Sequence, residues 1–412
     1  MLAKIGRQAK EASRVVANAS TTTKNAALRA MADRLEAAAP GILAANADDM
    51  EQARTEGVSE ALLDRLLLTD ARIVGMAAGL RKVAGLPDPI GIITDGWQMY
   101  NGIKVQRSRA PLGVVAVIYE ARPNVTADAG GLAFKAGNSA ILRGSSYALR
   151  SNLAVMRALQ EGLESEGLPA SAIQVLEDTS REGAVALMQA IEWIDLLVPR
   201  GGPGLINAMI EHATVPYVID GAGNCHVYVD AAADLDKALP ITVNAKVQRP
   251  GVCNAAESLL VHEAVAADFL PAVSKALMAE GVELRGDAAS RQLVPEMLEA
   301  TDEDFATEFH DLIMSVRVVP SVEAAVDHVL QYGSGHTDAI LSEDYGAIQT
   351  FVDGVDSAVT MVNASTRFTD GEEFGFGAEI GLSTQKLHVR GPMGLEALTC
   401  ERYVLYGDGQ VR

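Results

Sequence analysis

The sequence predicts an α/β protein in which parallel sheets lie buried between helical layers, organised as more than one domain. Three observations carry this. From Pro111 onward, short apolar runs alternate with helical segments, the pattern of strands covered on both faces. Residues 1–85 read instead as helices, with Ala, Leu and Met recurring at three- and four-residue spacing. The length of 412 residues exceeds what one hydrophobic core usually serves, so two domains are expected.

Taken in order, helices are expected over Leu2–Asn18 and Ala26–Leu43, the second capped by Ser20 and the threonines after it. Ile90–Arg109 is polar, aromatic and alternating (Trp97, Met99, Ile103, Val105), which suggests a β-hairpin or arm. Strands follow at Gly113–Tyr119, Ser139–Leu142, Ile173–Leu176, Ile194–Val198, Tyr217–Ile219 and His226–Val229, with helices such as Ser151–Gly162 and Leu205–His212 between them. Right-handed crossovers make this a doubly wound domain. A second unit begins near Asp230. It has a helix over Leu235–Val247, a strand at Ser258–Val261, a helix over Ala264–Glu280, and strands at Val316–Val319, Asp338–Leu341 and Val359–Val362. Pro240 predicts a late start or a kink in the first of these helices. Beyond Asn363 lie a Gly-rich stretch, a helix near Pro392–Glu401 and a strand over Tyr403–Val411.

Composition excludes several classes of function. A net charge of −20 without any run of Lys or Arg argues against nucleic acid. No apolar run approaches the ~20 residues that span a bilayer, and Met1–Lys10 lacks a signal-peptide core, so a cytoplasmic protein is expected. Cys225, Cys253 and Cys400 are too few and too scattered for a disulfide framework. The seven histidines show no metal-ligand spacing, so no metal is expected.

Five clusters carry candidate chemistry. Cys253, in NAKVQRPGVCN (244–254), follows a Pro250–Gly251 turn and precedes a strand. It is either an inert buried thiol or a loop nucleophile whose thiolate is favoured by nearby Arg249. PRGGPG (199–204) joins a strand to a helix. Its glycines either shape a turn or let backbone N–H groups approach a phosphate. Arg143, with Gly144 and Ser145 after it, ends a strand. It is either a solvated arginine or part of a site for the ribose and 2′-phosphate of NADP. EARPN (120–124) and NASTRFTDG (363–371) each close an apolar strand with one arginine, Arg122 and Arg367. Either is a surface turn, or both converge with Cys253 on a cleft.

Taken together, VIYEARPNVT (117–126), AGNSAILRG (136–144), PRGGPGL (199–205), VNAKVQRPGVCN (243–254), VNASTRFTDG (362–371) and STQKLHVRGPMGLEALT (383–399) resemble the γ-glutamyl phosphate reductase family. The last two stretches are long and specific, and the resemblance covers nearly the whole chain. That family lies within the aldehyde dehydrogenase superfamily. The implied fold is aldehyde-dehydrogenase-like: two doubly wound parallel-sheet domains plus a β oligomerisation arm. The implied division is a cofactor domain over 1–92 and 110–229 with part of 364–402, a catalytic domain over 230–363, and an arm over 93–109 and 403–412.

The resemblance also implies that Cys253 is the nucleophile of an NADPH-dependent reduction of L-glutamyl 5-phosphate, the second step of proline synthesis. Substrate contacts are then expected from Arg122, Asn244, Arg249 and Arg367. Cofactor contacts are expected from Arg143, Gly144, Ser145, Arg200, Gly201, Gly202 and Gly204. The expected partners are further copies of the chain and a glutamate 5-kinase that supplies the short-lived acyl phosphate. Two positions depart from the hydrolytic branch of the superfamily. Asp220 stands where that branch has a water-activating glutamate, and Ala121 where it has an oxyanion-binding asparagine. The backbone N–H of Cys253 is then the one oxyanion donor the resemblance suggests. A dehydrogenase of another semialdehyde and an inactive scaffold are the rival readings.

Overall fold

The computed structural model describes residues 1–219 and 221–412, with Ala61 and Pro203 described by backbone alone. The chain forms two compact units. One comprises Met1–Ile219, Gly375–Gly381 and Met393–Arg412, the other Asp220–Phe374 and Leu382–Pro392.

The first unit is built on a parallel sheet in the order Ile173–Val175, Ser139–Arg143, Val114–Tyr119, Leu196–Arg200. Tyr217 adds an isolated parallel bridge to Leu197 in place of the expected strand. Every residue of Val114–Tyr119 is buried, which is why this strand reads as an unbroken apolar run. The Ser20 hydroxyl accepts from Thr23 N–H and starts the helix Thr21–Ala37. The single helix expected over Ala26–Leu43 is in fact two, because the chain turns at Ala38 and restarts with Pro40 in the first turn of Ala39–Thr55.

A separate antiparallel sheet pairs Ile93–Gln98 with Lys104–Pro111, and Lys104–Pro111 with Thr399–Tyr406. The helix expected near Pro392–Glu401 is absent. A short 3₁₀ turn, Leu395–Leu398, leads directly into the strand. Its carbonyls are taken by other partners: Thr399 Oγ1 donates to Glu396 O at 2.7 Å, and Asn138 Nδ2 to Leu398 O at 2.9 Å.

In the second unit seven parallel strands run in the order Leu298–Glu299, Glu283–Gly286, Ile313–Val319, Ala256–His262, Cys225–Val229, Thr337–Leu341, Val359–Val362. Cys225–Val229 is therefore not part of the first unit, as the sequence suggested. It is hydrogen-bonded between Ala256–His262 and Thr337–Leu341, and the chain passes to the second unit after Ile219. The core on one side of this sheet includes Val227, Leu259, Phe269, Leu270, Val273 and Leu277. The helix Leu235–Val247 starts without delay, since Asp234 accepts from the Asp236 and Lys237 N–H groups, and it runs through Pro240. No helix among the described residues is long and apolar enough to cross a membrane.

Candidate active site

In the first unit, three sequence clusters meet at the carboxyl ends of adjacent strands. Arg143, Gly144 and Ser145 follow one strand, Glu120 and Arg122 the next, and Arg200 to Gly204 the third. This edge is where open α/β sheets bind ligands. Gly144 lies so close to Asn152 Nδ2 that a Cβ would overlap it. Asn152 Nδ2 and Ser145 Oγ are both buried without a partner. Asn152 Oδ1 is held through Thr126 Oγ1 at 3.2 Å, itself bonded to the Tyr119 hydroxyl at 2.7 Å.

Arg143 is partly committed, because its Nη2 donates to Thr179 O at 2.6 Å and Ser180 O at 2.9 Å. Its Nε is buried without a partner. The glycine loop differs from the sequence expectation. Gly202 caps the helix Pro203–His212, but its N–H donates to Glu120 Oε1 at 3.3 Å, so a carboxylate stands where a phosphate was expected. Gly201 packs against that same carboxylate, and open space surrounds Gly202 and Gly204.

In the second unit Cys253 lies half-buried in the turn between the helix Leu235–Val247 and the strand Ala256–His262. The turn is closed beneath by an ion pair, Lys246 Nζ to Glu257 Oε2 at 2.5 Å, with both side chains fully buried. Burial pushes the Glu257 carboxyl up to about 7 against the pull of Lys246, and burial also pulls the Lys246 ammonium down. Cys225 Sγ donates to Cys253 O at 3.2 Å from the neighbouring strand. Burial, reinforced by Asp338 and Cys253, raises this second thiol well above its usual range, so it keeps its proton.

Of the expected substrate arginines, Arg249 lies in the turn itself and Arg367 reaches it from the segment after Val359–Val362. Arg367 Nε donates to Gln248 Oε1 at 2.8 Å and its Nη1 to Asn254 Oδ1. Burial and the charge of Arg249 lower its pKa, while Cys253 acts in the opposite sense, which places all three in one electrostatic neighbourhood. Arg249 and Asn244 are exposed, Asn244 on the helix that leads into the turn. Arg122 belongs to the first unit, in the turn before the helix Asn124–Lys135.

Ala121 is buried in an apolar cluster with Met50, Ala53, Leu66 and Ala148 and offers no side-chain donor. Asp220 lies outside the described residues. No group of three His, Cys, Asp or Glu among the described residues is placed to hold a metal. Sequence reasoning missed Asn254, Asn152 and the Lys246–Glu257 pair. Only the pair had a signal, as two charges set among apolar positions.

Comparison with known proteins places the chain in a family. The aldehyde dehydrogenase family model matches residues 2–291. A γ-glutamyl phosphate reductase of Syntrophomonas wolfei is 53% identical over 407 residues, 99% of this chain and 97% of its own length. One of Moorella thermoacetica is 54% identical over the same share of each. The crystal structure of the Thermotoga maritima γ-glutamyl phosphate reductase superposes with a TM-score of 0.98 at 46% identity, covering 100% of this chain and 99% of that one. An acetylating aldehyde dehydrogenase of Geobacillus thermoglucosidasius, 17% identical with a TM-score of 0.69 over 99% of this chain and 97% of that one, shares the fold alone. With near-complete coverage at half identity, the chain belongs to the aldehyde dehydrogenase family and, within it, to the γ-glutamyl phosphate reductases.

Proposed function

We propose that this chain reduces L-glutamyl 5-phosphate to L-glutamate 5-semialdehyde and phosphate with NADPH, through a thioester on Cys253, as the second step of proline synthesis in the cytoplasm. The observation that carries the reading is the half-buried thiol on a braced turn, in a chain so similar to relatives bearing that name.

Cys253 thiolate adds to the acyl carbon, and phosphate leaves as the thioester forms. Phosphate is a good leaving group, so this step asks for no strong general base. Arg367, with Arg249 beside it, neutralises an anionic group of the substrate. The residues of the first unit fit a nicotinamide cofactor: Ser145 Oγ, Asn152 Nδ2 and Arg143 Nε are buried donors awaiting acceptors, grouped at one strand end. Arg143 and Ser145 would hold the ribose and its 2′-phosphate, and Gly144 gives the backbone room there. Gly201, Gly202 and Gly204 would line the pyrophosphate only if Glu120 swings aside from the Gly202 N–H. NADPH, when bound, supplies the hydride that reduces the thioester.

The antiparallel sheet leaves Trp97, Tyr403, Leu405 and Tyr406 exposed, an apolar surface suited to a second copy of the chain. A glutamate 5-kinase is the proposed source of the acyl phosphate, whose own amine otherwise cyclises onto it.

The test runs the reaction backwards. Asp220 is one methylene shorter than the glutamate of hydrolytic relatives, and general-base assistance to water is worth about 10²–10⁴-fold. Reduction of NADP by glutamate 5-semialdehyde is therefore expected to require phosphate, with arsenate as a substitute. Sustained multiple turnover in phosphate-free buffer would overturn the reading.

A further inference from the structure

The peptide that follows Cys253 is clamped from both ends. On its carbonyl side Cys225 Sγ donates to Cys253 O at 3.2 Å, and Gly223 packs so tightly there that any Cβ would overlap that carbonyl. On the far side Asn254 is tied to the segment after residue 364. Thr366 Oγ1 donates to Asn254 O at 2.7 Å, Asn254 Nδ2 donates to Thr369 O at 2.8 Å, and Arg367 donates to Asn254 Oδ1. The clamp is itself supported, since Thr369 Oγ1 accepts from Thr337 Oγ1 at 3.0 Å, and Thr337 Oγ1 lies 2.9 Å from His336 Nδ1.

One polar group of Asn254 is left uncommitted. Its backbone N–H meets no acceptor among the described residues, although the residue is only 4% exposed. Buried amide donors are nearly always paired, so this one is built to meet something that the protein does not supply. The peptide is trans, and a trans peptide points its C=O and N–H in opposite directions. The contact with Cys225 therefore turns the Asn254 N–H away from the wall formed by Cys225 and Gly223.

We propose that the Asn254 backbone N–H is an oxyanion-hole donor for the acyl group on Cys253, and that Cys225 is the positioning residue that aims it. This rests on Cys253 as the nucleophile. When its thiolate adds, an S–C bond forms and the carbonyl π pair moves onto oxygen. When that pair returns, the C–O bond to phosphate breaks and phosphate leaves with the bonding electrons. A fixed donor stabilises the intervening oxyanion, and the N–H after a nucleophile is one general way to supply it. By the family resemblance, Ala121 stands where the hydrolytic branch has an oxyanion-binding asparagine, and an alanine side chain carries no donor.

The experiment compares two reactions of Cys253 in Cys225→Ala and Cys225→Ser proteins. Reduction forms an oxyanion, whereas alkylation by iodoacetamide displaces iodide and forms none. Cys225→Ala is expected to lose roughly tenfold to a hundredfold in kcat, with the rate of Cys253 alkylation held within about twofold. Cys225→Ser, whose hydroxyl can donate to the same carbonyl, is expected to recover most of that loss. A parallel fall in kcat and alkylation, or an unchanged kcat in Cys225→Ala, would overturn the proposal. Should Cys225→Ala fail to fold, replacing Asn254 by its α-hydroxy analogue removes the N–H alone. Roughly 10²–10³-fold loss in kcat with normal alkylation is then expected, and a normal kcat would overturn the proposal. Wild-type activity that survives complete alkylation of Cys253 would instead remove the nucleophile reading beneath it.

Discussion

The carboxyl edge of the first sheet and the cysteine turn of the second unit treat their polar groups in opposite ways. At the first, Ser145 Oγ, Asn152 Nδ2 and Arg143 Nε are buried and idle. At the second, Gln248, Asn254, Thr366 and Arg367 are committed to one another, and a buried ion pair closes the turn. A surface that takes up and releases a large ligand keeps donors in reserve, and the ligand relieves the cost of leaving them unmade. A group that forms a covalent bond needs its neighbours fixed beforehand, because misplacement by an ångström is costly in rate. The contrast supports the proposed division of work, with exchange at the first region and chemistry at the second.

The largest effect that sharpens this contrast is expected from Cys253→Ser. It should fold with an unchanged melting temperature yet keep less than about a hundredth of the activity, since a serine hydroxyl forms its alkoxide far less readily than a cysteine forms its thiolate. A variant that kept more than that would return the chemistry of the turn to question.

Next is the buried pair. Removing one partner strands the other charge in the interior, so Lys246→Met is expected to destabilise the protein by about 3–5 kcal/mol. Adding Glu257→Leu should restore most of it, read from urea unfolding midpoints. If the double variant is no more stable than the single, the pair is not what braces the turn.

Acid probes the same unit. Burial holds His328 down to about 3 and His336 down to about 4. A depressed folded-state pKa gives stability that is present above the ordinary histidine value and lost as pH falls through the folded one. Each histidine should therefore subtract about 2 kcal/mol by pH 5 relative to neutrality. Glu257, raised to about 7, runs the other way, its contribution being lost as pH rises through that value. Subtracting the pH profile of His336→Gln from that of the wild type isolates the histidine. A flat difference between pH 6.5 and 5 would contradict the assignment.

The smallest effects compare the two arginines. Arg143→Ala is expected to raise the KM for NADPH roughly tenfold and to erode its preference over NADH. Arg367→Ala should instead raise the substrate KM by a similar factor, and lower kcat as well because it also holds Asn254. Equal changes for both ligands in both variants would mean that the two regions do not divide the work as described.

Much of the fold was legible because strands buried on both faces must be continuous apolar runs, as in Val114–Tyr119. What stayed hidden depends on pairing between distant residues. Cys225–Val229 reads the same whichever sheet it joins, and only its neighbours Ala256–His262 and Thr337–Leu341 decide. The tail after Pro392 has helical spacing, but its backbone is claimed by Lys104–Pro111. Cys253 stood out through its Pro–Gly turn. Asn254, next to it, did not, because Thr366 and Thr369 lie 112 and 115 residues further on. The Glu120 carboxylate at Gly202 was hidden for the same reason.

The antiparallel sheet also has a bearing on how the chain is made. Its middle strand, Lys104–Pro111, is translated early, but the partner that covers its open edge comes much later, with Cys400 lying 289 residues beyond Pro111. At ribosomal speeds of about 5–20 residues per second, that edge waits roughly 15–60 s for its partner. The seven-stranded sheet, whose strands all fall between Cys225 and Val362, emerges in full during that interval. The unit begun first is thus the one completed last, and until then the nascent protein carries an unpaired strand edge that a second nascent chain, or a chaperone, can reach.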